Sequence, residues 1–297
     1  MKRSIRGIIP AILTPLTEDG ELDIGLLTKL TEYLASSGAH GFFVGGTTAE
    51  GAYLSAEQRR LIFETVKEVS GGRQFLCLAA LQPSTPQVVR EMHMMEDLKP
   101  DFFVAVTPFY GAKDQATIKE HFTVLARESP VPLILYNIPG RTQSPMAVET
   151  VLELSHLDNV AGIKDSSGDF TFFSRGFLGE YPDRFEWIMG EDLLDASALL
   201  LGARSIVTGL ANIRVEHYIT MFKAAEEGNA AKVKECQRIV NQYRSIFSVC
   251  PSTKANAAVK AGAAYFGRAT RRMIMTGLNL TDSEYAGVEK ILSGIDR

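Results

Sequence analysis

The chain has 297 residues, with 31 Lys and Arg against 35 Asp and Glu for a formal charge of −4. Its 45% hydrophobic and 22% charged residues are ordinary for a soluble globular protein. The mild acidity argues against duplex nucleic acid as the main partner, which needs a basic face. That length fits either two domains or one α/β barrel of roughly 250 residues, and can bury a core without disulfides or metal staples.

Met1-Lys2-Arg3 followed by an apolar run over 7–16 has the outline of a secretory signal. Pro10 and Pro15 break that run, no small-residue cleavage site follows, and Glu18-Asp19 arrives at once. We read a first strand and a cytoplasmic protein. No stretch approaches about 20 uninterrupted apolar residues, so no membrane-spanning segment is expected.

Short, predominantly apolar runs without polar alternation recur at 7–13, 41–45, 75–80, 102–106, 133–136, 160–163, 185–189 and 205–208. Unbroken apolar runs suit parallel strands buried on both faces. Amphipathic patterns separate them. Leu61, Ile62, Thr65, Val66 and Val69 form one stripe behind a cap at Ser55, with Gln58 three residues on. Further helical patterns occupy 87–98, 116–128, 147–157, 171–178, 195–201 and 216–226. Strand and helix alternate about every 30 residues, which predicts a (β/α)8 TIM barrel. A doubly wound sheet fits less well, because its nucleotide fingerprint is missing. The expected organisation is a barrel over 1–225 and a C-terminal helical extension over 226–297, packed as a single structural domain. In the extension, Val233, Cys236, Val240, Tyr243, Phe247 and Cys250 make one long stripe, with helices expected over 255–266 and 283–292. The extension either caps the barrel or forms a subunit contact.

The three cysteines (Cys77, Cys236, Cys250) are far apart and read as buried free thiols in a reducing compartment. His40, His93, His121, His156 and His217 form no HxxxH, HxH or Cys/His pair. No local metal motif is therefore present.

In a (β/α)8 barrel the chemistry sits at the C-terminal strand ends. Those ends carry Gly45-Gly46-Thr47-Thr48-Ala49-Glu50-Gly51, then Thr107-Pro108-Phe109-Tyr110, Tyr136-Asn137-Ile138-Pro139-Gly140-Arg141-Thr142, Lys164-Asp165, Gly190 and Gly209. Lys164 closes an apolar strand, where an ammonium is costly to bury, and a neutral amine there suits Schiff-base chemistry with a ketone. The alternative is a solvent lysine beyond the strand, paired with Asp165 or Asp169. Tyr136 could relay protons for such chemistry through Thr47 and Tyr110, or be a packed aromatic. Thr47 and Thr48 offer hydroxyls and N–H groups to a small carboxylate, or simply cap a turn; no GK[ST] makes it a phosphate loop. Arg141 could grip a carboxylate bidentately or serve a structural salt bridge. Glu50 is expected to accept backbone N–H bonds within its own loop.

GGTTAEG, TPFY, YNIPGRT and GIKDSSGD, in this order and spacing, resemble the dihydrodipicolinate synthase / N-acetylneuraminate lyase family of class I aldolases. The resemblance covers the whole chain. It implies a Schiff base between Lys164 and pyruvate or a 2-keto acid, with Tyr136 as the proton-transferring phenol in a relay with Thr47 and Tyr110. The tyrosine matching Tyr110 reaches across a dimer interface in that family, so a homo-oligomer, dimer or tetramer, is implied. Thr48 would hold the pyruvate carboxylate, while Gly190 and Ile206 match pocket-lining positions. No cofactor and no metal would be needed, and the partners would be pyruvate and a small aldehyde.

Arg141 points to the synthases, where the matching arginine binds the carboxylate of aspartate semialdehyde. Departures point the other way: Ala49 stands within the usual GTTGE, Gly51 for a serine, Ala80-Leu81-Gln82 for a GTG-like turn, and Phe109 for a tyrosine. The stretch from Glu50 through Tyr53 to Ser55 is more similar to aldolases that cleave sugar acids. Changes at Gly51, Ala56, Pro83 and Phe109 fall where feedback-regulated synthases bind lysine, so lysine inhibition is not expected. A non-catalytic keto-acid binder is the reading from another class, and the complete relay argues against it.

Overall fold

The computed structural model describes residues 4–295; Met1, Lys2 and Arg3, the basic start of the supposed leader, lie outside the described residues. The strands are β1 (Gly7–Pro10), β2 (Gly41–Val44), β3 (Phe75–Ala80), β4 (Phe102–Val106), β5 (Leu133–Asn137), β6 (Val160–Asp165), β7 (Glu186–Met189) and β8 (Ser205–Thr208). They form one eight-stranded sheet in the order β1-β8-β7-β6-β5-β4-β3-β2, and the pairs from β3 to β8 are parallel. A parallel bridge between Ala11 and Phe43 joins the first strand's end to β2. This is the strand order of a (β/α)8 barrel, the expected fold. The unbroken apolar strands are buried along their lengths, Ala161 alone being half-buried.

The chain falls into two compact units. One consists of residues 4–7 and Phe75–Val207 and carries β3 to β7 with most of β8. Its aromatic centre is Trp187, which meets Phe173 and Phe185 edge to face, at centroid separations of 5.8 and 6.1 Å. The other unit consists of Ile8–Gln74 and residues 208–295. Here the C-terminal helices Glu216–Glu226, Ala230–Arg244, Ala255–Tyr265 and Asp282–Ile295 fold together with β1 and β2. Asn212 stitches this unit, donating to the Ala11 carbonyl at 2.7 Å and accepting from the Leu13 N–H at 3.2 Å.

Local signals account for several boundaries. Ser55 and Gln58 form the expected capping box, satisfying two N-terminal donors of the helix Ala56–Ser70. A helix absent from the sequence reading, Ile24–Ser36, starts at an Asp23 cap and buries Leu27, Leu30 and Leu34. The long C-terminal stripe is corrected. The α-helix stops at Arg244, and a 3₁₀ segment, Ser245–Val249, follows. Three residues per turn shift the inward position, so Ile246 is buried while Phe247 and Cys250 are half-buried. Cys77 and Cys236 are buried, and all three cysteines are free thiols. Among the described residues no helix is long and apolar enough to cross a membrane.

Candidate active site

Strands β5 and β6 pair so that Tyr136 stands opposite Lys164, and Lys164 opposite Ile188 on β7. Strand β6 continues through Lys164 and Asp165 rather than ending at Ile163. The lysine is therefore inside the strand end, 6% exposed, with Nζ 4.1 Å from the centroid of the Tyr136 ring. Tyr136 is itself 2% exposed. This corrects the alternative of a solvated lysine. Asp165 is engaged elsewhere: its Oδ1 accepts from Asn137 Nδ2 at 2.9 Å and Ser167 N at 3.2 Å, and its Oδ2 accepts from Ser167 Oγ at 3.0 Å. Burial pushes the Asp165 carboxyl up to about 6, against those donors, which pull it down.

The same hydrogen bonds lace three strand ends together. Ser166 N donates to the Asn137 carbonyl at 2.8 Å, Gly190 N to the Asp165 carbonyl at 2.8 Å, and Ser166 Oγ to the Gly190 carbonyl at 2.9 Å. Asn137 Oδ1 accepts from Met146 N at 3.2 Å. Gly190 is a close-approach position: a Cβ there would lie 2.9 Å from Lys164 Cε and 2.4 Å from Ser166 Oγ. The absent side chain is the space that the lysine stem occupies. Ile206 is fully buried on β8, in register with Met189.

Two expected residues stand apart from this cluster. Arg141 lies on the single turn Pro139–Thr142 and is exposed; among the described residues its guanidinium meets no carboxylate, so a structural salt bridge is not its role here. Tyr110 is 96% exposed, with a left-handed backbone at φ 66°, and does not pack beside Tyr136 of its own chain. The turns carrying them are linked by a hydrogen bond from Thr107 Oγ1 to Thr142 Oγ1 at 2.9 Å.

In the other unit, the turn 45–51 is held from outside itself. The Thr47 carbonyl accepts from Asn256 Nδ2 at 2.8 Å, the Ala49 carbonyl from Thr14 Oγ1 at 2.7 Å, and the Gly51 carbonyl from Arg59 Nη1 at 3.1 Å. A Cβ at Gly51 would fall 1.8 Å from the Gly45 carbonyl oxygen, so this turn closes only around glycine. Glu50, at φ 59°, sends its carboxylate away from the turn. Lys260 Nζ donates to Glu50 Oε1 at 2.5 Å and to the Arg272 carbonyl at 2.9 Å, and Ile274 N donates to Glu50 Oε2 at 2.9 Å. The expectation that Glu50 serves its own loop is thus corrected. A carboxylate 3% exposed needs a counter-charge, which a stretch of Gly, Thr and Ala lacks. Thr48 differs from its neighbours: it is half-buried, and neither its N–H nor its hydroxyl has a partner among the described residues. Its side chain rests against Gly209, where a Cβ would lie 3.1 Å from Oγ1.

Sequence reasoning passed over Asn137, Lys260 and Asn256. Asn137 left one signal, a polar residue closing an apolar strand. Among the described residues no three His, Cys, Asp or Glu side chains gather as ligands of one ion. The arrangement offers an enclosed primary amine beside a phenol, and unpaired hydrogen-bond donors at a glycine-bounded turn.

A family model described as the dihydrodipicolinate synthetase family matches residues 4–295. The 4-hydroxy-tetrahydrodipicolinate synthase of Nitrosospira multiformis is 32% identical over 237 residues, 79% of this chain and 78% of that protein. That of Bacillus velezensis is 32% identical over 229 residues, 77% of this chain and 78% of the relative. The solved dihydrodipicolinate synthase of Bacteroides thetaiotaomicron superposes with a TM-score of 0.91 at 28% identity, covering 99% of this chain and 100% of its own.

Proposed function

The chain belongs to the dihydrodipicolinate synthetase family and is an enzyme, a lyase of the class I aldolase type, and from that premise we propose that it condenses pyruvate with aspartate semialdehyde through a Schiff base on Lys164. The carrying observation is the enclosure of the Lys164 amine beside the Tyr136 ring. The amine adds to the keto carbon of pyruvate, and the resulting carbinolamine loses water to give the imine. Loss of a methyl proton gives an enamine, whose carbon attacks the aldehyde while the aldehyde oxygen takes a proton; the amino group of the semialdehyde then adds to the imine carbon, closing the ring and expelling the Lys164 amine. Tyr136 carries protons to and from the carbinolamine, relayed by Thr47 and by Tyr110. The exposure of Tyr110 fits donation from a neighbouring copy, in a homo-oligomeric dimer or tetramer.

Thr48 receives the pyruvate carboxylate, a role supported by its unpaired donors. Gly190 leaves room for the lysine, and Ile206 supplies apolar wall. Arg141, exposed and without a carboxylate partner among the described residues, takes the carboxylate of the aldehyde. No metal or cofactor enters this reaction. The barrel over 1–225 and the extension over 226–297 act as one domain, in the cytoplasm. A second reading rests on the turn's departure at Ala49 and Gly51: retro-aldol cleavage of a sugar acid or 4-hydroxy-2-oxo acid.

Incubation with pyruvate followed by borohydride should leave a carboxyethyl adduct on Lys164, mapped by peptide mass spectrometry. An unmodified Lys164 would refute the mechanism, and a non-catalytic binder would give that result. A panel of aldehyde acceptors then separates the two enzymatic readings. Arg141→Ala should cripple a carboxylated acceptor while sparing cleavage of a neutral-tailed substrate.

A further inference from the structure

The turn that follows β2 closes on its own backbone, Ala49 N and Gly51 N donating to the Gly46 carbonyl and Glu50 N to the Thr47 carbonyl, but those bonds fix its shape and not its direction. Two glycines lead into it, Glu50 holds a left-handed backbone, and Gly51 closes it. Thr14 and Arg59 hold its far side, at the Ala49 and Gly51 carbonyls, and the C-terminal part of the chain holds it at two further points, Thr47 and Glu50. Asn256, at the start of the helix Ala255–Tyr265, donates to the Thr47 carbonyl at 2.8 Å. Lys260, one turn further, grips Glu50 at 2.5 Å while donating to the Arg272 carbonyl.

The Lys260 and Glu50 side chains are 0% and 1% exposed. Taking such a pair out of water is expensive, and a well-packed apolar pair is often equally stable. What the ion pair supplies is direction. The carboxylate is pinned at one oxygen by the ammonium and at the other by the Ile274 N–H. Both anchors, and the Asn256 amide, lie beyond residue 250.

Peptide planarity carries this grip to the donors of the turn. The Thr47 carbonyl and the Thr48 N–H belong to one rigid plane and point in opposite directions. The Thr47 carbonyl takes the Glu50 N–H from within the turn at 3.1 Å and the Asn256 amide from outside at 2.8 Å, and the outside bond aims the Thr48 N–H away from the helix. That N–H and the Thr48 hydroxyl have no acceptor among the described residues. We infer that Asn256 and Lys260 are positioning residues, through which the C-terminal extension sets the carboxylate-binding turn for the keto acid. The extension is thereby part of the substrate-binding machinery. The inference rests on the reading in which Thr48 receives the pyruvate carboxylate.

The test titrates pyruvate in the borohydride-trapping assay, reading the half-saturating concentration and the saturated rate separately, with thermal midpoints alongside. Asn256→Ala leaves the ion pair intact. It should raise half-saturating pyruvate about tenfold, the scale of one well-placed hydrogen bond, with the saturated rate and the midpoint little changed. The neutral pair Glu50→Gln with Lys260→Met should raise it further, and Asn256→Ala carries the test alone should that double variant not fold. A lowered midpoint with unchanged half-saturation in these variants would mean a structural brace only, and would overturn the inference while leaving the function standing. Absence of any adduct in the unsubstituted protein would overturn the functional reading and this inference with it.

Discussion

Replacing Gly190 by alanine puts a methyl group where three atoms already converge. It would lie 2.4 Å from Ser166 Oγ, 2.9 Å from the Asp165 carbonyl oxygen and 2.9 Å from Lys164 Cε. Carbon atoms rest about 3.5–4.0 Å apart, so the lysine stem must retreat by about 0.6–1.1 Å, or twist off its rotamer at about 0.5–1.5 kcal/mol. The ends of β6 and β7 are tied by the bond from Gly190 N to the Asp165 carbonyl, so parting them costs about 1 kcal/mol more. Overpacking of this kind destabilises by about 1–3 kcal/mol, a fall in the thermal midpoint of roughly 2–5 °C for a chain of this length. A reacting amine misplaced by about 1 Å loses roughly 100-fold in rate. The assays are scanning calorimetry and the borohydride-trapped rate at saturating pyruvate. The companion Ser166→Ala/Gly190→Ala removes the shortest contact but leaves the one to Lys164. Its midpoint should recover while trapping stays slow. Wild-type trapping by the single variant would refute the steric reasoning.

Three further outcomes are expected. Asp165 has its carboxyl raised from 3.8 to about 6, so its protonated form stabilises the fold below about pH 4 and that contribution, about 3 kcal/mol at most, is lost as pH rises through 6; Asp165→Asn should remove this component from the midpoint-versus-pH curve, and an unchanged curve would refute it. Asp195 is fully buried with neither carboxylate oxygen partnered among the described residues, and burial, reinforced by Asp192 and Glu191, holds its carboxyl well above the usual range; Asp195→Asn should stabilise by about 1–2 kcal/mol at pH 8 and less at pH 5, whereas a lowered midpoint at pH 8 in differential scanning fluorimetry would contradict this. L-lysine at sub-millimolar concentration should leave the condensation rate unchanged, given Gly51, Ala56, Pro83 and Phe109, and a hyperbolic inhibition curve would show otherwise.

The strands were legible because both faces of a parallel sheet are covered, which leaves unbroken apolar runs such as Phe75–Ala80. Lys164 was legible for the opposite reason, as a charge closing such a run. The end of β6 was not, since the pattern treats Lys164 and Asp165 as loop, while Tyr136 and Asn137 on the next strand make them tolerable inside the sheet. Ile24–Ser36 was readable in its Asp23 cap and leucine spacing. The partner of Glu50 was out of reach of any local pattern, because it depends on which distant cation the fold delivers to a buried carboxylate. Phe247 illustrates the smallest failure: one tightened helical turn rotates the inward face by a residue.

The anchors of the Thr47 turn lie 209 and 210 positions along the chain from the residues they hold. At roughly 5–20 residues per second of synthesis, the turn leaves the ribosome roughly 10–40 s before its fasteners do. Contacts of such sequence separation are also the slow ones in refolding, since a long loop must close before they reward it. Lys164 and Tyr136, by contrast, sit on consecutive strands only 28 positions apart. Helical signal on refolding should therefore recover ahead of keto-acid affinity, and the enzyme becomes competent only when its last quarter has docked.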